Sequence, residues 1–338
     1  METVWQILGG RGDRYHVDTR ARVQGVAAEL GYRRHAGAVA ISTGRFRCLA
    51  MVTSTTGHRS VWDAGMFEGL ERRLSRDGCH LAMACLTDDE LRGGSSLATL
   101  IHERAADGLI LNYVYDMPEA VETAILRHGL AAVWVNRKVK TACAHPDDRA
   151  AGHAATRALL ALGHRRIAYL SSHPTAHYSD HDRSAGYAAA MRSAGLGRQV
   201  VKSQDPPDAR DTWMRRVRAL LSPPDRPTAL VTYGPFAAYP ILRVAQELGL
   251  QVPTDLSLCT FAPSLACDAG PAVTTWLVPF RAMGEAAADL AMKAIAGERA
   301  PACAIPFAGV SGGTQASAPT STRRRPKSSA HPHPGNRT

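Results

Sequence analysis

The sequence predicts an α/β protein: two tandem units of parallel sheet flanked by helices, preceded by a short all-α segment. Three observations predict it. The 338 residues fit about two domains of ~150 residues each. Between residue 48 and about residue 276, short apolar runs alternate with stretches of helical periodicity, the wiring of parallel sheets. The composition, 45% hydrophobic and 21% charged, can fill large cores and is not that of a disordered chain.

Taken in chain order, residues 3–8 read as a short helix closed by Gly9 and Gly10. Residues 17–31 read as an amphipathic helix with Val23, Val26, Ala27 and Leu30 on one stripe and Gly31 as its cap. The small-residue stretch 36–45 is too weak in propensity to be a stable isolated helix. Strand-like runs follow at 49–52, 81–84, 109–111, 132–135, 167–170, 230–232 and 256–261. Between them, a helix begins near Asp63 with Met66, Leu70 and Leu74 on one face and Gly78 as its cap. A second spans 149–162, with Ala155, Leu159 and Leu162 before Gly163. A third spans 236–248, with Ile241, Val244, Ala245 and Leu248 before Gly249. From about 315 the chain is rich in Ser, Thr, Pro, Arg and His and is expected to be disordered. Two such units in tandem predict two lobes with a ligand cleft beyond the carboxyl ends of the strands.

The net charge of +10 is unevenly spread. Residues 315–338 carry +5, with Arg323, Arg324, Arg325, Lys327 and Arg337 and no acid, and residues 1–47 carry +4. The body is nearly neutral. Basic ends suit a polyanion contacted from one end, or simply solubility. No run of ~18 apolar residues is present, so no membrane helix is expected. The N-terminus has no secretory pattern, and the seven scattered cysteines read as reduced thiols in a cytoplasm. His173, His177 and His181, with Asp180 and Asp182, have metal-like spacing, but Pro174 places them in a loop and no metal is expected. Ser171-Ser172-His173 makes no nucleophile–base pair, and Gly93-Gly94-Ser95-Ser96 lacks a phosphate-binding Lys. Neither an enzyme nor a cofactor is expected.

Several segments share an order and spacing with a known family. They are Thr3-Val4, Asp18-Thr19-Arg20, Ala28-Glu29-Leu30-Gly31-Tyr32-Arg33 and Thr43-Gly44-Arg45, then Ala106-Asp107-Gly108-Leu109 and Val135-Asn136-Arg137 with Asp147-Asp148. Gly163-His164-Arg165-Arg166-Ile167, Arg183 with Gly186-Tyr187, Pro227-Thr228-Ala229 and Asp255-Leu256-Ser257 follow. Together they resemble the lactose-repressor (LacI/GalR) family over about residues 3–314. The resemblance implies a homodimeric repressor with a periplasmic-binding-protein-like core that binds a small effector, a sugar or related metabolite, and controls affinity for operator DNA. It implies a partial helix-turn-helix headpiece at 1–34, a hinge at 35–47 and a core at 48–314. The first lobe would be about 48–144 plus 277–300, the second about 145–276 plus 301–314, and the tail 315–338.

The resemblance carries departures. Relative to the family, the first headpiece helix and its turn are expected to precede Met1 or to be lost. Trp5, Gln6 and Gly9 replace usual recognition-helix residues. The DNA contacts it implies are Thr3, Val4, Gln6, Thr19, Tyr32, Ala38, Ile41 and Arg45, with Ile41 in the place of a minor-groove wedge. Gly234-Pro235 and Phe261-Ala262-Pro263 stand where the family carries sugar-binding carboxylates. Arg183 is retained as an effector clamp, and Trp62, Tyr178, Trp213 and Trp276 could form a stacking platform or simply pack in cores. Two other classes compete. A periplasmic binding protein would share the core but should carry a signal peptide and lack residues 17–45. A degenerate regulator would bind a small molecule without specific DNA binding.

Overall fold

The computed structural model describes residues 2–9, 12–32, 40, 44–56, 59–92, 106–114, 117–140, 142–171, 177–202, 210–265 and 272–319. Ala38, Ile41, His173 and the arginines at 323–325 lie outside them. The chain divides into two compact units, Met1–Ala144 with Arg281–Cys303, and His145–Phe280 with Ala304–Thr338.

The N-terminal helices are α1 (Glu2–Leu8) and α2 (Val17–Glu29). Ile7 is buried, and a Cβ on Gly12 would lie 3.3 Å from its Cα, so the connecting loop folds closely over it. The expected stripe on α2 has no buried member: Val26 and Leu30 are exposed, and Val23 and Ala27 are half-covered. None of the described segments encloses this face.

Unit 1 holds β1 (Cys48–Ser54), α3 (Ala64–Arg76), β2 (His80–Leu86), α4 (Asp88–Arg92), β3 (Gly108–Asn112), α5 (Glu119–His128), β4 (Ala132–Val135) and β5 (Cys143–Pro146). Asp63 caps α3 by accepting from the Gly65 and Met66 amides, and Gly78 takes the left-handed conformation just beyond its end. β1 pairs in parallel with both β2 and β3. Ala50, Val52, Leu109 and Leu111 pack with Val121 and Ala124 of α5, while Leu49, Met51 and Ile110, alternating with them, are equally buried. A sheet covered on both faces reads as a continuous apolar run, which is why these strands are legible in the sequence.

Unit 2 repeats the plan with α6 (Asp148–Ala161), β6 (Ile167–Ser171), α7 (Tyr178–Ser193), β7 (Gln199–Lys202), α8 (Arg210–Leu221), β8 (Ala229–Thr232), α9 (Pro235–Glu247), β9 (Ser257–Ala262) and β10 (Thr274–Leu277). After α10 (Phe280–Ile295), β11 (Cys303–Ile305) and β12 (Ala308–Val310) complete the two six-stranded sheets. Their orders are β11-β5-β4-β3-β1-β2 and β12-β10-β9-β8-β6-β7.

All seven apolar runs fall on strands, the last with Leu256 just before β9. β5, β7, β10, β11 and β12 escape sequence reading: they are three or four residues long and, unlike the equally short β4 and β8, carry polar residues or exposed positions instead of a plain buried apolar run. β12 joins β10 antiparallel, an edge that an all-parallel expectation omits. The expected disorder from 315 is corrected for 315–319: the Ala318 amide donates to Leu162 O at 2.8 Å, and the Ala316 amide donates to Ser257 Oγ at 3.1 Å. These backbone bonds fasten the segment to unit 2.

Candidate functional site

The site is built where two helices of unit 2 touch backbone to backbone. A Cβ on Gly152 of α6 would lie 2.2 Å from Arg183 O, and one on Gly186 of α7 would lie 2.1 Å from Arg149 O. Only glycine admits so close an approach. It brings Arg183 of α7 onto Asp148, the first residue of α6. Arg183 Nε donates to Asp148 Oδ1 at 2.7 Å, and Nη1 donates to Tyr233 O at 2.8 Å. The guanidinium carbon sits 4.6, 4.9 and 5.5 Å from the ring centres of Phe261, Tyr233 and Phe307, so aromatic faces wall the cation. Tyr233 and Phe261 stand at or near the carboxyl ends of β8 and β9, where open parallel sheets hold ligands.

The pair is almost dry, with side-chain exposures of 8% for Arg183 and 0% for Asp148. Burial works against the charged arginine, but the Asp148 carboxylate and neighbouring tyrosines outweigh it and hold its pKa above the ordinary value. Asp148 Oδ2 and the Tyr178 hydroxyl are buried and close to one another, yet neither makes a hydrogen bond of good geometry among the described residues. Burial, reinforced by the nearby Asp148 charge, pushes the Tyr178 phenol well up, so it stays protonated. One unsatisfied acceptor and one unsatisfied hydroxyl beside aromatic walls form a ready site for a ligand hydroxyl or amine.

A second network adjoins it. Asp180 accepts from Tyr169 Oη at 2.8 Å and from Lys202 Nζ at 2.7 Å. Ser179 Oγ lies 2.9 Å from Tyr233 Oη and 2.6 Å from His177 Nδ1. His181 is exposed beside Asp182, and no group of three metal-binding side chains occurs among the described residues.

Of the five effector candidates, the structure brings together Arg183 and Tyr178. Trp276 lies half-buried on β10 against the ring-bearing core face, its ring over Gly309. Trp213 is placed in a core, not on a ligand platform. It packs with Val217, Leu230 and Leu258, on the sheet face opposite Tyr169, Val231 and Phe261. Strand alternation separates those faces. Trp62 belongs to unit 1, 59% exposed, with its ring 5.7 Å from that of Phe67. Sequence reading misses Asp148, Tyr233, Phe261 and Phe307 as site residues. The available signal is Gly152 and Gly186, each one turn from a charged partner.

Among the DNA-binding candidates, Val4 and Thr19 are exposed, Thr3 is half-covered and Tyr32 is 56% exposed. Gln6 is braced, its Oε1 accepting from Tyr15 Oη at 3.3 Å and from Arg14. Arg45 is exposed just before β1.

Residues 156–308 match the periplasmic binding protein-like domain family. The chain is 29% identical over 235 residues to the HTH-type transcriptional regulator RafR of Escherichia coli, covering 68% of each chain. It is 26% identical over 291 residues to the HTH-type transcriptional repressor PurR of Klebsiella pneumoniae, covering 83% of each. A LacI family transcriptional regulator from Mycobacterium smegmatis superposes with a TM-score of 0.61 at 28% identity, over 80% of this chain and 100% of that one. The chain thus carries a periplasmic binding protein-like domain, and it is similar to regulators named as LacI-family members. The lac repressor dimer bound to operator and the anti-inducer ONPF shares the fold, with a TM-score of 0.72 at 19% identity over 93% of this chain and 95% of the other. The Arg183 cluster lies within the matched residues or beside them, at the strand ends of unit 2. No described helix is long and apolar enough to cross a membrane.

Proposed function

We propose that this chain is a sequence-specific DNA-binding repressor of the LacI family, acting as a homodimer in the cytoplasm, whose operator affinity is set by a small effector held at the Arg183 cluster. The observation that carries this reading is the Arg183–Asp148 pair walled by Tyr233, Phe261 and Phe307, with Asp148 Oδ2 and the Tyr178 hydroxyl left unsatisfied. A hydroxylated metabolite supplies the missing partners, and an aromatic wall suits the apolar face of a sugar or a flat ring. The N-terminal helices and the basic ends supply phosphate contacts, and base contacts from α1 set specificity.

The test has two arms. Salt-titrated binding to DNA fragments selected from a genomic library is expected to show a specific class whose affinity falls with salt and changes with an added metabolite. Arg183→Lys keeps the charge but loses the fork, and is expected to weaken metabolite binding at least tenfold while leaving dimerisation intact. Metabolite binding without sequence-selective DNA binding would instead favour the degenerate regulator, a reading to which the uncovered stripe of α2 lends support.

A further inference from the structure

The segment that joins the N-terminal helices to β1 is held in an unusual way. Phe46 and Arg47, the last residues before β1, are both exposed, so no apolar anchor fixes them. A cavity of ≈ 190 Å³ lies beneath, lined among others by Arg45, Arg47, Asp77 and Asp107. What holds the segment is hydrogen bonding to one side chain. Asp107 Oδ1 accepts the Phe46 amide at 2.8 Å, and Asp107 Oδ2 accepts the Arg47 amide at 2.7 Å. The backbone continues the clasp: the Asp107 amide donates to Cys48 O at 2.7 Å, and the His80 amide donates to Arg47 O at 2.9 Å. Between these bonds Arg47 takes φ +55°, a left-handed conformation that a non-glycine residue adopts only when its surroundings impose it.

We infer that Asp107 is a positioning residue that fixes the direction in which the linker leaves β1, and so sets the tether of the N-terminal helices. A carboxylate receiving two adjacent amides is a bidentate, charge-assisted grip. It turns the chain at Arg47 and orients Arg45 and the residues before it. The consequence for regulation rests on the repressor reading, in which residues 44–48 are part of the covalent link between the N-terminal helices and β1. Asp107 belongs to unit 1 and the Arg183 cluster to unit 2, so its effect would be through the linker.

The experiment uses the full chain as wild type and as Asp107→Asn, whose amide nitrogen cannot accept the second N–H. Trypsin cuts after Arg45 and after Arg47, and mass spectrometry follows both bonds. Asp107→Asn is expected to raise cleavage at these two bonds about tenfold, the factor that loss of one charge-assisted hydrogen bond produces, with cutting elsewhere unchanged. Equal rates in two folded proteins would overturn the inference. Should the variant fail to fold, hydrogen exchange of the wild type decides: protected Phe46 and Arg47 amides support the clasp, and exchange at the unstructured rate refutes it. Neither readout involves DNA, so absent operator binding in both proteins would sink the repressor reading without touching the clasp. With operator binding present, Asp107→Asn is expected to change operator affinity and leave metabolite affinity as it was.

Discussion

Arg183 and Asp148 form a dry ion pair, 2.7 Å from Nε to Oδ1, on two helices 35 residues apart in sequence. Such a pair is expensive to half-remove. Asp148→Ala leaves a guanidinium buried among aromatic rings with no counter-charge, and is expected to cost about 3–5 kcal/mol in urea unfolding. The double variant Asp148→Leu with Arg183→Met replaces both charges by apolar volume and is expected to recover most of that loss. If the double variant is as unstable as the single one, the pair is not electrostatically isolated in the way its burial implies.

The same helices depend on glycine contacts, and unit 1 repeats the device. A Cβ on Gly69 of α3 would lie 2.1 Å from Arg281 O, and one on Gly284 of α10 would lie 2.2 Å from Met66 O. Gly152→Ala and Gly284→Ala must therefore push two helices apart, with an expected cost of about 1–3 kcal/mol each. At Gly25, on α2, an added methyl would have nothing within 4 Å, and Gly25→Ala is expected to stabilise that helix by about 0.5–1 kcal/mol. Circular dichroism melts of the three variants check both signs.

His164 predicts an acid weakness in unit 2. Its ring is buried and lies 2.9 Å from Thr228 Oγ1, 3.0 Å from Ser257 Oγ and 3.0 Å from Ala316 O. Burial lowers its pKa below the usual 6.5, and the Ala316 carbonyl opposes that only in part. The folded state therefore binds its proton less readily than the unfolded chain. Stability from this group is complete above about pH 6.5 and is lost as pH falls through that value towards the lower folded pKa. The urea midpoint is expected to drop between pH 7.5 and pH 5, and His164→Gln is expected to flatten that slope. Carboxylates such as Glu247, held low by Arg243 and Arg218, act only at more acid pH.

The fold is legible because strand interiors such as 49–52 and 167–170 are apolar on both faces and helices such as α3 carry their caps in sequence. Arg183 is legible as a candidate residue, but its pairing with Asp148 is not, because their meeting depends on how α6 and α7 cross. That crossing is set by Gly152 and Gly186, which local periodicity does not reveal. Trp213 misleads for a different reason. Trp213, Val217 and Leu221 recur every four residues and are all buried, the stripe of a core helix that the expected elements between 203 and 222 omit. The Asp107 clasp is invisible, because its bonds run to backbone amides about 60 residues away, and those leave no mark on composition.

Tyr178 separates the two uses of a buried polar group. Its hydroxyl makes no hydrogen bond of good geometry among the described residues, and its ring lies 4.4 Å from that of His177 and 6.0 Å from that of His145. Tyr178→Phe keeps those ring contacts and removes only an unsatisfied hydroxyl. Without ligand, the variant is expected to be as stable as the wild type or slightly more so, since only a poorly aligned contact to Asp148 is lost while a desolvation cost of about 1–3 kcal/mol is relieved. With ligand, the same change deletes a hydroxyl that the bound molecule would satisfy, and affinity is expected to fall about tenfold, the worth of one hydrogen bond to the ligand. Thermal melts with and without the metabolite read both quantities from one protein. A Tyr178→Phe chain that loses stability unliganded has a hydroxyl already satisfied within the fold, and the Arg183 cluster would then be a structural knot, not a binding site.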